Sequence, residues 1–234
     1  MRQVVHIFRK EFSAYFISPI AYIVIAIFLL ITGWFFFATF FIFNQANLRA
    51  FYALLPVVFA FVIPATTMRL ISEEINVGSD EILLTMPVTF RDVILGKFLA
   101  SVALVVAMLI PTIAYPLTVS LMGQLDWGPV VGGYLGAIFL GAAFSAVGLF
   151  ASALTRNQII AFIIGLAVCF TLTLIDKMLY FLPQSLLGVF AYLGADFHFQ
   201  NIAKGIIDSR DILKFVSICF DGLYGAYLAL LQRH

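Results

Sequence analysis

The sequence predicts an all-α integral membrane protein with six transmembrane helices, and three observations support this fold class. The 234 residues are 63% hydrophobic and 11% charged, whereas soluble domains are about 45–50% apolar and about 25% charged. Apolar runs of about 18 residues or more recur, and each is long enough to cross about 30 Å of hydrocarbon as a helix. These runs do not alternate in polarity as barrel strands would.

The apolar runs divide the chain as a single membrane domain, residues 1–234. We place its transmembrane helices at about 19–43, 51–70, 93–122, 130–154, 159–175 and 211–231. Prolines inside the second and third helices predict bends, because proline has no backbone N–H: Pro56, Pro64, Pro111 and Pro116. Small residues in the fourth helix predict close helix contacts: Gly132, Gly133, Gly136, Gly141 and Gly148.

An amphipathic helix is predicted over residues 2–17, before the first apolar run. At about 100° per residue, Phe8 and Phe12 fall on one arc, and Arg9 and Lys10 fall on the opposite one. Such a helix lies in the headgroup plane of a membrane. The alternative is a solvated helix packed on a soluble domain, and the sequence offers no such domain.

The distribution of Lys and Arg predicts the orientation in the membrane. With a cytoplasmic N-terminus, the termini and short inner loops carry most of these residues: Arg2, Arg9, Lys10, Arg69, Arg91, Lys97, Arg156 and Arg233. Both termini and the segment 72–92 are therefore expected in the cytoplasm. Residues 176–210 are too apolar for a solvated loop, so we expect short helices there at the outer interface.

The charged segment between the second and third helices predicts a short helix of its own. Gly78 can end the incoming helix, and Ser79 can cap a new one. Asp80 and Glu81 in its first turn suit the positive end of the helix dipole. Pro87 disfavours helical geometry at the residue before it, which limits the helix to about two turns. Docking on a partner protein would order it, and a plain loop on the bilayer surface is the alternative.

Residues with catalytic or metal-binding chemistry form no recognisable motif. His6, His198 and His234 lack metal-ligand spacing. Cys169 and Cys219 each lie in an apolar run, which favours small buried hydrophobic residues over a disulfide or a metal pair. A net charge of +1 gives no reason to expect nucleic-acid binding. We therefore predict a non-enzyme that itself binds no metal and no cofactor.

The order of several motifs resembles the ABC-2 type transporter permease family across essentially the whole chain. Three stretches look like the region between the second and third helices of that family: IPATTMRLISEE at 63–74, GSDEILLTMPV at 78–88 and LGK at 95–97. Others resemble the branch with the gliding-motility permease GldF and the nitrous-oxide-reductase maturation permease NosY: SPIAY at 18–22, TGWF at 32–35, HF at 198–199, and GIID with RD at 205–211.

This resemblance implies a role for the charged segment. In ABC-2 permeases a short coupling helix rests in a cleft of a separate nucleotide-binding subunit and transmits its closure. By position that role falls on 79–86, and residues 2–17 match the family's elbow helix. The implied contacts with the ATPase are Glu73, Glu74, Gly78, Ser79, Asp80, Glu81, Leu83, Leu84 and Thr85. The resemblance also implies two permeases, identical or different, with two ATPases that bind ATP and Mg, in a bacterial inner membrane.

We therefore expect a permease subunit that moves an unidentified substrate across the inner membrane, driven by ATP hydrolysis in a partner. One alternative is a non-transporting membrane anchor or mechanical component of an ATPase-driven envelope assembly, such as a gliding-motility or periplasmic maturation machine. Another is an ion-coupled secondary transporter, which predicts inverted repeats that the sequence lacks. Asp221, near the middle of the sixth helix, is either a polar contact on the transport path or a locally paired group.

Overall fold

The computed structural model describes residues 2–43, 47–78, 89–178, 194–206 and 208–232. Within these ranges the chain forms α-helices joined by turns. Their bounds are α1 Arg2–Ile17, α2 Ile20–Phe43, α3 Arg49–Thr67, α4 Arg69–Val77, α5 Phe90–Leu109, α6 Ala114–Met122, α7 Trp127–Leu154, α8 Gln158–Met178, α9 Ala195–Ala203 and α10 Ser209–Leu231. A 3-10 turn at Pro111–Ile113 joins α5 to α6.

Six helical spans are long and apolar enough to cross a membrane. They are Ile20–Ile42, Arg49–Val77, Phe90–Met122, Trp127–Leu154, Gln158–Lys177 and Ser209–Leu231. Two of them combine successive helices, since α4 continues α3 and α6 continues α5. The predicted fold class, an all-α membrane protein with six spanning helices, is confirmed, and the described ranges contain no strand.

Successive spans run in opposite directions, so the bundle has two ends. At one end α1 packs on the beginning of α5, close to the end of α4 and the end of α7. We call this the α1 end. At the other end α9 packs on the beginning of α7 and contacts the last turn of α8. We call this the α9 end.

Helix α7 is the centre of the bundle. In its most apolar window 72% of the residues are buried, against 22% for the spans of α8 and α10. Close contacts explain this: a Cβ at Gly133 would lie 2.2 Å from the Tyr52 ring, and one at Gly148 would lie 2.0 Å from Thr67 Oγ1. The prediction that glycines in this helix permit close helix contact is confirmed at these positions.

Three spanning helices begin earlier than their apolar runs indicated. The helices α5, α7 and α10 start at Phe90, Trp127 and Ser209, rather than at about 93, 130 and 211. The reason is capping, in which a polar side chain accepts a hydrogen bond from a first-turn N–H that has no partner within the helix. The caps and their donors are Thr89 with Asp92 N, Asp126 with Gly128 N, and Asp208 with Arg210 N.

Replacement of Gly148 by alanine tests the contact between α3 and α7. The new Cβ would overlap Thr67 Oγ1, which is held by a 2.9 Å hydrogen bond to Ile63 O and cannot easily turn away. We expect Gly148→Ala to lower the free energy of unfolding by about 1–3 kcal/mol, the usual cost of overpacking. Gly128→Ala is the control, because its Cβ would meet nothing closer than 3.4 Å. Equal unfolding midpoints for both variants in detergent would contradict a close contact between α3 and α7 at Gly148.

Candidate functional site

A buried lysine at the α1 end joins three helices. Lys97 of α5 is 2% exposed. Its Nζ donates hydrogen bonds to Glu74 Oε1 at 2.7 Å and to Glu11 Oε1 at 3.1 Å. It also donates to the Leu70 carbonyl oxygen at 2.7 Å. We call Lys97, Glu11, Glu74 and this carbonyl the lysine node, and it connects α5 to α1 and to α4.

The charges of the lysine node explain why a lysine can be buried here. An ammonium group has three N–H donors, and each of them has an acceptor in the node. The two carboxylates are largely covered, with side-chain exposures of 14% for Glu11 and 21% for Glu74. A buried cation is costly unless it is paired and hydrogen-bonded. The node therefore depends on all three helices staying together.

Gly96 brings α1 close enough for the ion pair to form. A Cβ at this position would lie 2.7 Å from Ile7 Cγ2 and 3.2 Å from the Val4 carbonyl oxygen. Both atoms belong to α1, so only glycine allows this approach of the two helices without displacement. Two adjacent residues of α5 therefore attach α1: Gly96 allows the close helix contact, and Lys97 provides the charge that pairs with Glu11.

Tyr15 attaches the other end of α1 to the junction of α3 and α4. Its side chain is 1% exposed, and its hydroxyl donates to the Thr66 carbonyl oxygen at 3.1 Å. Burial raises the pKa of the Tyr15 hydroxyl, so the group keeps its proton and remains a donor. The Arg69 guanidinium lies 5.2 Å from the centre of the Tyr15 ring, within the range of a cation–π contact.

Ser152, near the end of α7, inserts its hydroxyl group into the junction of α3 and α4. Its Oγ accepts hydrogen bonds from Ile71 N at 3.1 Å and Ser72 N at 3.0 Å. The same hydroxyl donates to the Met68 carbonyl oxygen at 2.7 Å. These backbone groups would otherwise bond within one continuous helix, so an inserted side chain marks the break. The first turn of α4 is thereby fixed to α7.

The second span extends beyond its expected end at residue 70, because α4 continues to Val77. Glu73 is exposed on α4, whereas Glu74 belongs to the lysine node. Gly78 ends α4 with a φ of 72°, a left-handed conformation that favours glycine. The remaining predicted contacts, and with them the expected coupling helix over 79–86, lie outside the described residues: Ser79, Asp80, Glu81, Leu83, Leu84 and Thr85.

Asp221 lies midway along α10 and is exposed. Its neighbours on the outward surface of α10 include Phe220, 67% exposed, and Tyr224, 52% exposed. The carboxylate lies on the outer surface of the bundle, within electrostatic range of the Lys214 ammonium on the same helix. The structure does not bring it together with the lysine node, which lies at the α1 end.

Sequence reasoning missed the partners of the lysine node. The sequence identified Lys97 only as a cation on the inner side of the membrane and as part of a family motif. One signal was present, because a lysine within an apolar span needs a counter-ion, and Glu11 is the acidic residue of α1. Ser152 gave no such signal, since a serine in an apolar helix commonly bonds its own backbone.

Two polar contacts hold α9 at the opposite end of the bundle. Asp176 Oδ2 accepts a hydrogen bond from Phe197 N at 2.9 Å and so caps the first turn of α9. His198 Nδ1 lies 2.6 Å from Asp211 Oδ1, which joins α9 to α10. Across the described ranges, no group of three or more His, Cys, Asp or Glu side chains is arranged to hold a metal ion.

The six spans define a multi-pass helical membrane protein. Residues 17–202 match the sequence model of a family described as ABC-2 family transporter protein. The match covers more than half of the chain, so this protein belongs to the ABC-2 transporter family and is a permease subunit. Domains of this family are transmembrane components rather than ATPases, and they generally work with an ABC ATPase. No curated protein matches the sequence.

Removal of the lysine charge tests the node. Lys97→Met should lower the free energy of unfolding by about 3 kcal/mol or more, because it removes the buried cation to which both carboxylates are bonded. Adding Glu11→Gln and Glu74→Gln to this variant should recover part of the loss, since the two carboxylate charges that Lys97 neutralised are then removed. Both effects are measured by denaturant titration in mild detergent.

Lys10→Met is the matched control for this experiment. The Lys10 side chain is 72% exposed, and its Nζ lies 3.8 Å from Glu11 Oε1. Exposed ion pairs contribute about 0–1 kcal/mol, so the control should change stability little. The triple variant should be more stable than Lys97→Met alone. If the triple variant is no more stable than Lys97→Met, unpaired charge in the node does not explain the destabilisation caused by Lys97→Met.

Proposed function

We propose that this permease moves its substrate across a bacterial inner membrane and that its α1 end faces the cytoplasm. A separate ABC ATPase would bind the segment 79–86 there, with Glu73 as a further polar contact. One observation carries this proposal: α4, which leads directly into that segment, is fixed by the lysine node to α1 and α5. A segment attached in this way can transmit movement.

The path of this movement follows from the contacts of α4. A push on the segment after Gly78 would act on the end of α4, since the segment begins at the residue after the glycine that ends this helix. The lysine node would pass the displacement to α1 and α5, and Ser152 would pass it to α7. ATP binding would bring the two coupling segments of a transporter together, and hydrolysis would reset them. The result is alternating access.

The distribution of basic residues supports this orientation. Exposed cations at the α1 end include Arg9, Lys10, Arg91 and Arg156, whereas the exposed cations Lys177, Lys204 and Arg210 at the α9 end belong to or border one long segment, 176–210. Short loops rich in Lys and Arg lie on the cytoplasmic side of membrane proteins. Both termini would then be cytoplasmic, and α9 would lie at the outer interface.

A second permease, identical or different, would complete the transporter. Asp221 supports this part of the proposal, because it faces outward from the middle of α10. A carboxylate at that depth costs at least about 2.5–3.5 kcal/mol on insertion scales. A path between two permeases would supply the polar surroundings that lipid does not. We therefore propose Asp221 as a polar group on that path.

A mechanical component of an envelope machine is the second candidate function. It rests on the resemblance of several stretches to GldF and NosY, and two of these stretches meet in the structure through His198 and Asp211. The same coupling site would serve this role, because it transmits force whether or not a substrate moves. Movement of a defined substrate into or out of liposomes separates the two functions.

Charge reversal at Glu81 tests the proposed coupling site. Glu81→Arg puts a cation at the first turn of the proposed coupling helix, where the dipole favours an anion, and at the surface that would contact the ATPase. We expect normal membrane insertion and a large loss of co-purified ATP hydrolysis activity. The measurement is ATP hydrolysis by the affinity-purified complex from native membranes.

Arg210→Glu is the control at the α9 end, where Arg210 is exposed at the beginning of α10. It should leave co-purified ATP hydrolysis at the level of the unchanged protein. Full ATPase association and stimulation with Glu81→Arg would refute the coupling site. Loss of co-purified ATP hydrolysis with Arg210→Glu, and not with Glu81→Arg, would indicate that the ATPase binds at the α9 end, which contradicts this proposal.

A further inference from the structure

Two adjoining cavities at the α9 end share a single arginine. One, which we call the polar cavity because Arg49, Lys204 and Asp126 are among its lining residues, has a volume of about 280 Å³. The other is a largely apolar groove of about 400 Å³ between the end of α2 and the beginning of α3. Asn47 and Arg49 line both of them. Arg49 is also the first residue of the second span, so the two cavities meet where that span begins.

The polar cavity carries a surplus of positive charge. Arg49 and Lys204 line it, together with the Gln200 side chain and one carboxylate, Asp126. Asp126 is already engaged, because its Oδ1 accepts the hydrogen bond from Gly128 N that caps α7. Within the described ranges, no carboxylate lies within 4.0 Å of either cation. The cavity therefore suits an anionic group.

Close backbone contacts hold the walls of this cavity in place. A Cβ at Gly132 of α7 would lie 2.4 Å from the Ile202 carbonyl oxygen of α9, so these helices touch directly. Gly205, with a φ of 84°, turns the chain after α9 against the beginning of α7. Tyr52 donates a hydrogen bond from its hydroxyl to the Val130 carbonyl oxygen at 3.0 Å. The cavity is thus built by α3, α7 and α9 rather than by surface side chains alone.

The apolar groove continues from Arg49 along the membrane-spanning part of the chain. Phe36 and Phe40 line it from one side of α2, with their ring centres 6.0 Å apart. Ala50 and Ala53 line it from α3, one helical turn apart. Two alanines facing two phenylalanines leave a channel in which an alkyl chain can lie. An acyl chain in the groove would leave its headgroup beside Arg49.

We propose that these cavities form a binding site for an anionic amphiphile, with its phosphate between Arg49 and Lys204 and an acyl chain in the groove. The charge surplus selects the headgroup, and the groove selects a lipid-like molecule over a small anion. Arginine and lysine side chains suit a phosphate, whose oxygens accept charge-assisted hydrogen bonds. The site lies at the opposite end of the bundle from the lysine node and does not depend on the proposed coupling role.

The test is equilibrium binding of phosphatidylglycerol to the full chain in neutral detergent, measured by native mass spectrometry. Replacement of both cations, Arg49→Gln with Lys204→Gln, should weaken binding by at least about tenfold, because charge-assisted hydrogen bonds are lost. Arg210→Gln is the matched control, since it removes a cation at the same end but outside both cavities. It should bind as the unchanged protein does. Equal binding by the double variant and the control would overturn the proposal.

Two further arms separate a lipid from a free phosphate. Ala53→Phe fills the groove and leaves the polar cavity intact, so it should weaken phosphatidylglycerol binding while the unfolding midpoint stays unchanged. Inorganic phosphate should compete poorly with the lipid, and phosphatidylcholine should bind weakly because its headgroup has no net charge. Efficient displacement by inorganic phosphate, or full lipid binding by Ala53→Phe, would show a small-anion site and overturn the amphiphile assignment.

Discussion

One buried ammonium group determines how the α1 end of this protein is held together. Lys97 would be costly inside the bundle without acceptors, and its acceptors lie on two other helices. Moving either helix away leaves a charge unpaired, so α1, α4 and α5 move together or not at all. Ser152 extends this constraint to α7, the central helix. In the proposed function, a push delivered beyond Gly78 would act on the bundle through α4.

The spanning helices could be predicted from the sequence, because length and apolar composition decide whether a helix crosses a membrane. The ends of these helices were predicted less accurately. The caps at Thr89 and Asp126 add a turn to the helix, and a hydropathy pattern does not detect capping. The lysine node could not be predicted from the sequence for another reason. Lys97 and Glu11 are 86 positions apart and meet only when α1 packs on Gly96. Glu74 is an example: the family resemblance implied a contact with a partner, and within the chain its carboxylate accepts a hydrogen bond from Lys97.

The two ends of the bundle differ in chemistry. At the α1 end, charges are paired with one another and hold helices together. At the α9 end, Arg49 and Lys204 line an open cavity, and no carboxylate of the described residues lies within 4.0 Å of either cation. Paired charges suit the transmission of force, and cations lining a cavity suit the binding of a ligand. Helix α7 contacts elements at both ends and connects them through a rigid span.

The most direct test of this account is the side of the membrane that α4 faces. In a variant with Cys169 and Cys219 replaced by alanine, single cysteines are placed at Val77, 74% exposed at the end of α4, and at Gln124, exposed at the α9 end. A membrane-impermeant maleimide should label Val77→Cys only in inside-out vesicles and Gln124→Cys only in right-side-out ones. Labelling of Val77→Cys from the outside would contradict the account.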